Sequence, residues 1–169
     1  MKSRKTLLTP FIQKIVNQND IVILIETHTS IDDLNLFKLG GIDIWVGVDA
    51  IKRKGGIALY ASKKIEIEIV SNNHNYILID SISPIKYRWM FVYGAFNNKD
   101  NDNLLSVIQE FKPFFIMGDF NKLEVLEYYD LFLLYGIGGF NTRIQGESRS
   151  RIDKIVALEK MTIFKLLIL

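Results

Sequence analysis

The chain has 169 residues, of which 49% are hydrophobic and 24% charged, with a formal net charge of +2. This suits a single domain spanning 1–169 with a real core and is too short for two comfortable ones. The near-neutral charge excludes a strongly basic footprint for nucleic acid over the whole chain and leaves only local patches. The absence of cysteine excludes disulfides, thiolate zinc sites and a cysteine nucleophile.

The basic start, Met1 to Gln13, lacks the sustained apolar run and small-residue cleavage site of a signal peptide. Leu7, Leu8, Phe11, Ile12, Ile15 and Val16 recur at helical spacing, with Thr9-Pro10 as N-cap and first turn, and Asn17 to Asp20 break the helix. Ile21 to Ile25 is a continuous apolar run, which predicts a strand buried on both faces. It ends in Glu26-Thr27-His28-Thr29. A short helix or loop covers 31–39, closed by Gly40-Gly41.

From there the pattern is β. Ile42 to Val48 and Gly56 to Ala61 read as strands. Ile65 to Ile69 alternates strictly, so one face is wet and the strand lies near an edge or in an antiparallel sheet. Tyr76 to Ile82 and Tyr87 to Tyr93 follow, separated by the turn signal Ser83-Pro84. Residues 97–103 read as a polar loop, and Leu104, Leu105, Val107, Ile108 and Phe111 as an amphipathic helix. Phe114 to Met117 is a strand, a helix follows over about 123–135, then a Gly-rich loop and a final strand at 152–158. The closing segment Met161 to Leu169 is apolar but far short of the ~20 residues a membrane span needs. The middle strands lack crossover helices, which argues against a doubly wound sheet and for an α/β sandwich of two packed sheets with helices outside.

The strand ends carry the chemistry. Gly118-Asp119-Phe120-Asn121 closes an apolar strand: the glycine permits a sharp turn, and an acid and an amide two residues apart face one volume. Glu26 ends another strand, Tyr93 a third, and Asp153 lies within Ser150-Arg151-Ile152-Asp153. Oxygen donors from strand ends far apart in sequence suit a hard cation such as Mg²⁺. Against this, a lone glutamate after a strand is usually a solvated loop residue, and Tyr93 can simply pack. His28 reads as a loop residue, and His74 as part of a hairpin turn. Lys52-Arg53-Lys54 reads as a solvated loop or, with Arg143, Arg149 and Arg151, as contacts to a phosphate backbone.

The segments Asp20 to Thr29, Gly55 to Tyr60, Phe91 to Asn97, Phe115 to Asn121, and Thr142-Arg143-Ile144 with Ser150 to Ile155 resemble, in order, the motifs of the endonuclease/exonuclease/phosphatase superfamily. The Glu-Thr-His and Ser-Arg-Ile-Asp wording is most similar to endonuclease domains of LINE-type retrotransposons. The resemblance implies an α/β, four-layer sandwich of two mixed sheets flanked by helices. It implies that Glu26 binds Mg²⁺, with Mn²⁺ as the alternative. Asp119 would position or deprotonate the attacking water, and Asn121 would hydrogen-bond a phosphate oxygen or orient that water. Tyr93 would hydrogen-bond the phosphate, and Asp153 would orient a histidine. Thr142 would line the groove. The partner implied is DNA, and the location intracellular, with a nuclear site implied by the retroelement likeness alone.

The sequence also departs from the pattern. Members open with a strand carrying an asparagine and close with a strand preceded by Ser-Asp-His, and neither occurs in these 169 residues. The expectation is a sandwich incomplete at both ends, a fragment or decayed copy that is inactive or weakly active. Two other readings stand beside it: a non-catalytic remnant or nucleic-acid binding module, and a phosphatase or phosphodiesterase acting on a phosphoester outside nucleic acids.

Overall fold

A computed structural model describes residues 4–28, 42–48, 55–62, 64–83, 86–94, 98–130, 143–145, 148–150 and 153–158. Helix α1 (Arg4–Gln18) is followed by β1 (Ile21–Ile25), β2 (Ile42–Val48) and β3 (Ile57–Ser62), which form an antiparallel sheet in the order β1-β3-β2. Central β3 is buried from Ile57 through Ala61. Strand β1 pairs with β3 alone among the described residues, and only Val22 of its five residues is fully buried. β1 stands at the edge of the described sheet, yet both its faces are covered, Ile21, Ile23 and Ile25 by the cluster between the sheets and Val22 and Leu24 by α1, so the expected burial on both faces is met in part, four of the five residues being only half-buried.

Helix α1 begins earlier than Thr9-Pro10 suggests, and Pro10 lies inside it. An interior proline forfeits one backbone hydrogen bond. The apolar stripe of Ile12, Ile15 and Val16, seated on Val22, Ala58 and Tyr60, carries the helix across it. The helix ends where Asn19 Nδ2 donates to the Ile15 carbonyl at 2.7 Å, satisfying an otherwise orphaned acceptor.

The second sheet has six strands in the order β4-β5-β6-β7-β11-β8: β4 (Glu66–Asn73), β5 (Tyr76–Ser83), β6 (Tyr87–Tyr93), β7 (Phe115–Asp119), β8 (Tyr129–Asp130) and β11 (Asp153–Ala157). A separate hairpin joins β9 (Arg143–Gln145) and β10 (Ser148–Ser150). The pair β6–β7 is parallel, and α2 (Asn98–Phe111) makes the crossover that such a pair requires. The other ladders of this sheet are antiparallel. The alternation read at Ile65 to Ile69 places β4 correctly at an edge, where exposed Glu66 and Glu68 discourage pairing with another chain.

Two helix predictions are corrected. Residues 98–103, expected as a loop, form the first turns of α2, where Asp100 complements the positive end of the helix dipole and Asn101 is buried. The helix expected over 123–135 is absent from its described part: turns lead to the short strand β8. Leu123 is buried there while Leu126 is 93% exposed, and the Tyr128 hydroxyl donates to the Pro113 carbonyl at 2.7 Å. Anchoring by these separate contacts overrides the apparent helical period.

Three apolar clusters hold the elements together. One seats α1 on the small sheet. A second lies between the sheets, joining Ile57, Leu59 and Ala61 to Ile77, Ile79 and Phe91. The third packs Leu104 and Ile108 of α2 on Leu78, Met90, Val92 and Ile116. Two sheets packed face to face, each with a helix against it, match the expected α/β class. At the far end of the large sheet Arg88 makes a bidentate pair with Asp80, 2.7 Å for each bond, and also donates to the Phe111 carbonyl at 3.1 Å.

Candidate active site

Strand register brings three of the predicted site residues onto one rung of the large sheet. Tyr93 pairs with Asp119 across the parallel β6–β7 ladder, and Asp119 pairs with Asp153 across the antiparallel β7–β11 ladder. Directly opposed residues on neighbouring strands stand close enough for their side chains to interact. Tyr93 and Met117 belong to the cluster between the sheets. Asp119 follows Met117 by two residues and so shares its face.

The exit of β7 has a specific backbone solution. Gly118 has φ +142°, and a Cβ there would lie 2.1 Å from the Val92 carbonyl oxygen. Only glycine tolerates that approach. The exits of β6 and β7 then interlock. The Gly94 N–H donates to the Asp119 carbonyl at 2.6 Å, and Asn121 Nδ2 donates to the Gly94 carbonyl at 2.9 Å. The Asn121 N–H donates to Asp119 Oδ1 at 2.9 Å, with Asn121 at φ +44°. One N–H of the Asn121 amide is thus engaged structurally, while its Oδ1 is buried without a hydrogen-bond partner.

Glu26 approaches from the small sheet. The chain leaving β1 turns through positive φ at Glu26 (57°) and His28 (52°), a conformation uncommon outside glycine. It is held there by Thr27 N–H to the Gly56 carbonyl at 3.2 Å and His28 N–H to the Gly55 carbonyl at 3.0 Å. Strained backbone of this kind clusters at functional sites. Glu26 and His28 are exposed. Thr27 Oγ1, beside them, is buried without a partner. Sequence reading passed over Thr27, since nothing in its residue type marks it; the signal is its place next to Glu26.

Electrostatics bind these groups into one site. Asp119 is buried, and burial pushes its pKa up to about 6. The Asn121 hydrogen bonds oppose the rise, while the negative charges of Asp153 and Glu26 add to it. Asp119 therefore feels the charge of Asp153 from its own sheet and of Glu26 from the other. Among the described residues no three carboxylate or imidazole groups stand close enough to chelate one ion together. Thr142, Arg151 and Lys52 to Lys54 lie outside the described residues. Arg143 and Arg149 fall on the β9–β10 hairpin. His74 sits, as read, in the turn between β4 and β5.

No family model matches this chain, and no curated protein does. Solved structures do. AP endonuclease LMAP from Leishmania major aligns with TM-score 0.63 at 13% identity, over 90% of this chain and 73% of that one. The 3' phosphatase NExo from Neisseria, bound to a product DNA hairpin, aligns with TM-score 0.55 at 16% identity, over 89% and 81%. Truncated Caenorhabditis elegans TDP2 aligns with TM-score 0.56 at 15% identity, over 89% and 77%. Of the longer C. elegans TDP2 chain, this chain covers 60%. Identities this low establish a shared fold and nothing finer.

Proposed function

From the endonuclease/exonuclease/phosphatase fold that this chain shares with those structures, we propose that it is a metal-dependent phosphodiester hydrolase of retroelement type that acts on DNA. The observation that carries the reading is the rung Tyr93–Asp119–Asp153, with Glu26 sensed from the opposite sheet.

Each group has a chemical task. Asp119, at about 6, is ionised at neutral pH yet basic enough to take a proton from water. The free Oδ1 of Asn121 accepts a hydrogen bond from that same water and aims its lone pair at phosphorus. With one N–H of the Asn121 amide committed to Gly94 and its Oδ1 unpartnered, the amide oxygen is assigned to orienting the water. Water oxygen then bonds to phosphorus, its proton passes to Asp119, and the bond to the leaving oxygen breaks. The Tyr93 phenol donates to a non-bridging oxygen. Asp153 contributes negative charge that keeps Asp119 basic.

The residues fit a hard divalent cation. The donors are all oxygen, and the unpartnered Asn121 Oδ1 and the repulsion that Asp153 and Glu26 exert on Asp119 favour an added positive charge. Glu26 would hold Mg²⁺, or Mn²⁺ in its place, with water and phosphate oxygens completing the shell, as small hard cations prefer. When bound, the ion neutralises charge on the phosphate. The chain's two histidines, His28 and His74, are both exposed. Among the described residues no imidazole stands on the rung.

The test is nicking of supercoiled plasmid. We expect slow nicking with Mg²⁺ that chelation stops and Asp119→Ala abolishes. Equal nicking by wild type and variant would refute the assignment. Salt-sensitive retention of DNA without nicking would support a binding module instead. Hydrolysis of p-nitrophenyl phosphate without nicking would move the substrate to small phosphoesters.

A further inference from the structure

Tyr93 is gripped from both sheets by residues with no apparent chemistry of their own. From the large sheet, Asn75 holds its backbone at both ends: the Tyr93 N–H donates to the Asn75 carbonyl at 2.8 Å, and Asn75 Nδ2 donates to the Tyr93 carbonyl at 3.2 Å. Asn75 is only 6% exposed, unusual for an asparagine in a hairpin turn. It is itself fixed by Asn73, whose Oδ1 accepts from the Asn75 N–H at 2.7 Å and the Tyr76 N–H at 3.2 Å. From the small sheet, Gly55 lies flat against the Tyr93 ring: a Cβ there would sit 3.0 Å from Cδ1 and 3.2 Å from Cε1. Gly55 has φ +74°, and its carbonyl also receives His28 N–H in the loop that carries Glu26.

We propose that Asn75 and Gly55 are positioning residues that seat Tyr93, Asn75 fixing where the strand end lies and Gly55 fixing where the ring points. A buried asparagine is retained here because its amide closes the end of β6, where the chain turns away at Gly94 and ladder bonding stops. A glycine is retained because any side chain would push the ring off its line. Through Gly55 the same contact ties Tyr93 to the Glu26 loop, so the phosphate-facing groups of the two sheets are set by one junction. The inference rests on the reading of Tyr93 as a phosphate-binding phenol, and its test separates the two.

The full chain is labelled with 3-fluorotyrosine, and the Tyr93 resonance, one of seven, is assigned by its loss in Tyr93→Phe. Asn75→Ala and Gly55→Ala should each shift or broaden that resonance while Tyr128 and Tyr129, at the other end of the large sheet's strand order, stay put. In single-turnover plasmid nicking each should lower the rate ~10–100-fold, as misplacement of a positioned group does. In a Tyr93→Phe background Asn75→Ala should lower it no further, and Gly55→Ala should keep only the smaller part of its loss that comes through the Glu26 loop. If Asn75→Ala does not fold, Gly55→Ala, which leaves the hairpin bonds intact, carries the same comparison. An unmoved Tyr93 resonance in folded variants, or losses that add fully to that of Tyr93→Phe, would overturn the seat. A shifted resonance with no effect of Tyr93→Phe on nicking would uphold the seat and remove the role of the phenol.

Discussion

Replacing Asp119 with asparagine should make the protein more stable at neutral pH and leave it unchanged in acid. The carboxyl titrates at about 6 in the folded chain, against 3.8 for an ordinary aspartate, chiefly because it is buried and secondarily because Asp153 and Glu26 repel its charge. That difference corresponds to about 3 kcal/mol. The sign follows from proton counting. Between pH 3.8 and about 6 the folded chain keeps a proton that the unfolded chain has lost, so stability falls as pH rises. Above that window both states are ionised and the full penalty applies. Asparagine retains an oxygen to accept the Asn121 N–H, but as a neutral acceptor it gives a weaker bond, by about 1 kcal/mol. Asp119→Asn should therefore gain about 2 kcal/mol at pH 7.5, or about 4–8 °C in Tm for a domain of this size, and nearly nothing at pH 4. Urea denaturation of both proteins at half-unit steps from pH 4 to 8 reads the difference directly, since other titrating groups cancel. A difference that does not change with pH, or one that grows in favour of the wild type toward pH 8, would refute the placement of Asp119 in a buried acidic cluster.

Other perturbations probe other parts of the molecule. Gly118→Ala combines a disallowed φ with a Cβ 2.1 Å from the Val92 carbonyl and should destabilise by about 3 kcal/mol or more in denaturant; a loss under 1 kcal/mol would contradict the β7 exit geometry. Asp80→Asn breaks the bidentate pair with Arg88, whose hydrogen bonds lower the Asp80 pKa. Both side chains are about a third exposed, so the loss should be only about 0.5–1 kcal/mol at pH 7, and it should shrink as pH falls through the depressed value and Asp80 protonates. Adding 10 mM Mg²⁺ should raise unfolding stability by about 1.4 kcal/mol if the dissociation constant is roughly 1 mM; Glu26→Gln should remove that increment, and an equal rise in both proteins would take Glu26 out of the metal site.

Much of this was legible where local chemistry decides the structure. The strand ends at Glu26, Tyr93 and Asp119 were marked by apolar runs stopping at polar residues and Asp153 by its place in Ser150-Arg151-Ile152-Asp153, and the register places three of the four on one rung. The alternation of Ile65 to Ile69 predicted a strand with one wet face, near an edge or in an antiparallel sheet, and β4 is both. What the residues did not reveal was set by distant contacts. The edge position of β1 depends on which strands meet it. The absence of the expected helix over its described part, 123–130, turns on Tyr128 reaching Pro113, and the early start of α2 on a polar segment that helical dipoles favour. Asn75 could not be recognised from its turn-like sequence, since its burial and its grip on Tyr93 exist only once β5 and β6 are paired.

The rung also has a kinetic meaning. Its members come from three separate parts of the chain, and each pairing must close a long loop before it gains anything in return. Domains built from such non-local pairings fold slowly. Neighbouring helices and hairpins such as β4–β5 can assemble early, whereas Asp119 meets Asp153 only when β11 docks, and meets Glu26 only when the sheets close. The acidic cluster is then the last thing the chain builds. Partly folded molecules would carry every site residue and none of the site, so hydrolytic competence would appear in step with completed folding and vanish with the first cooperative opening of β11.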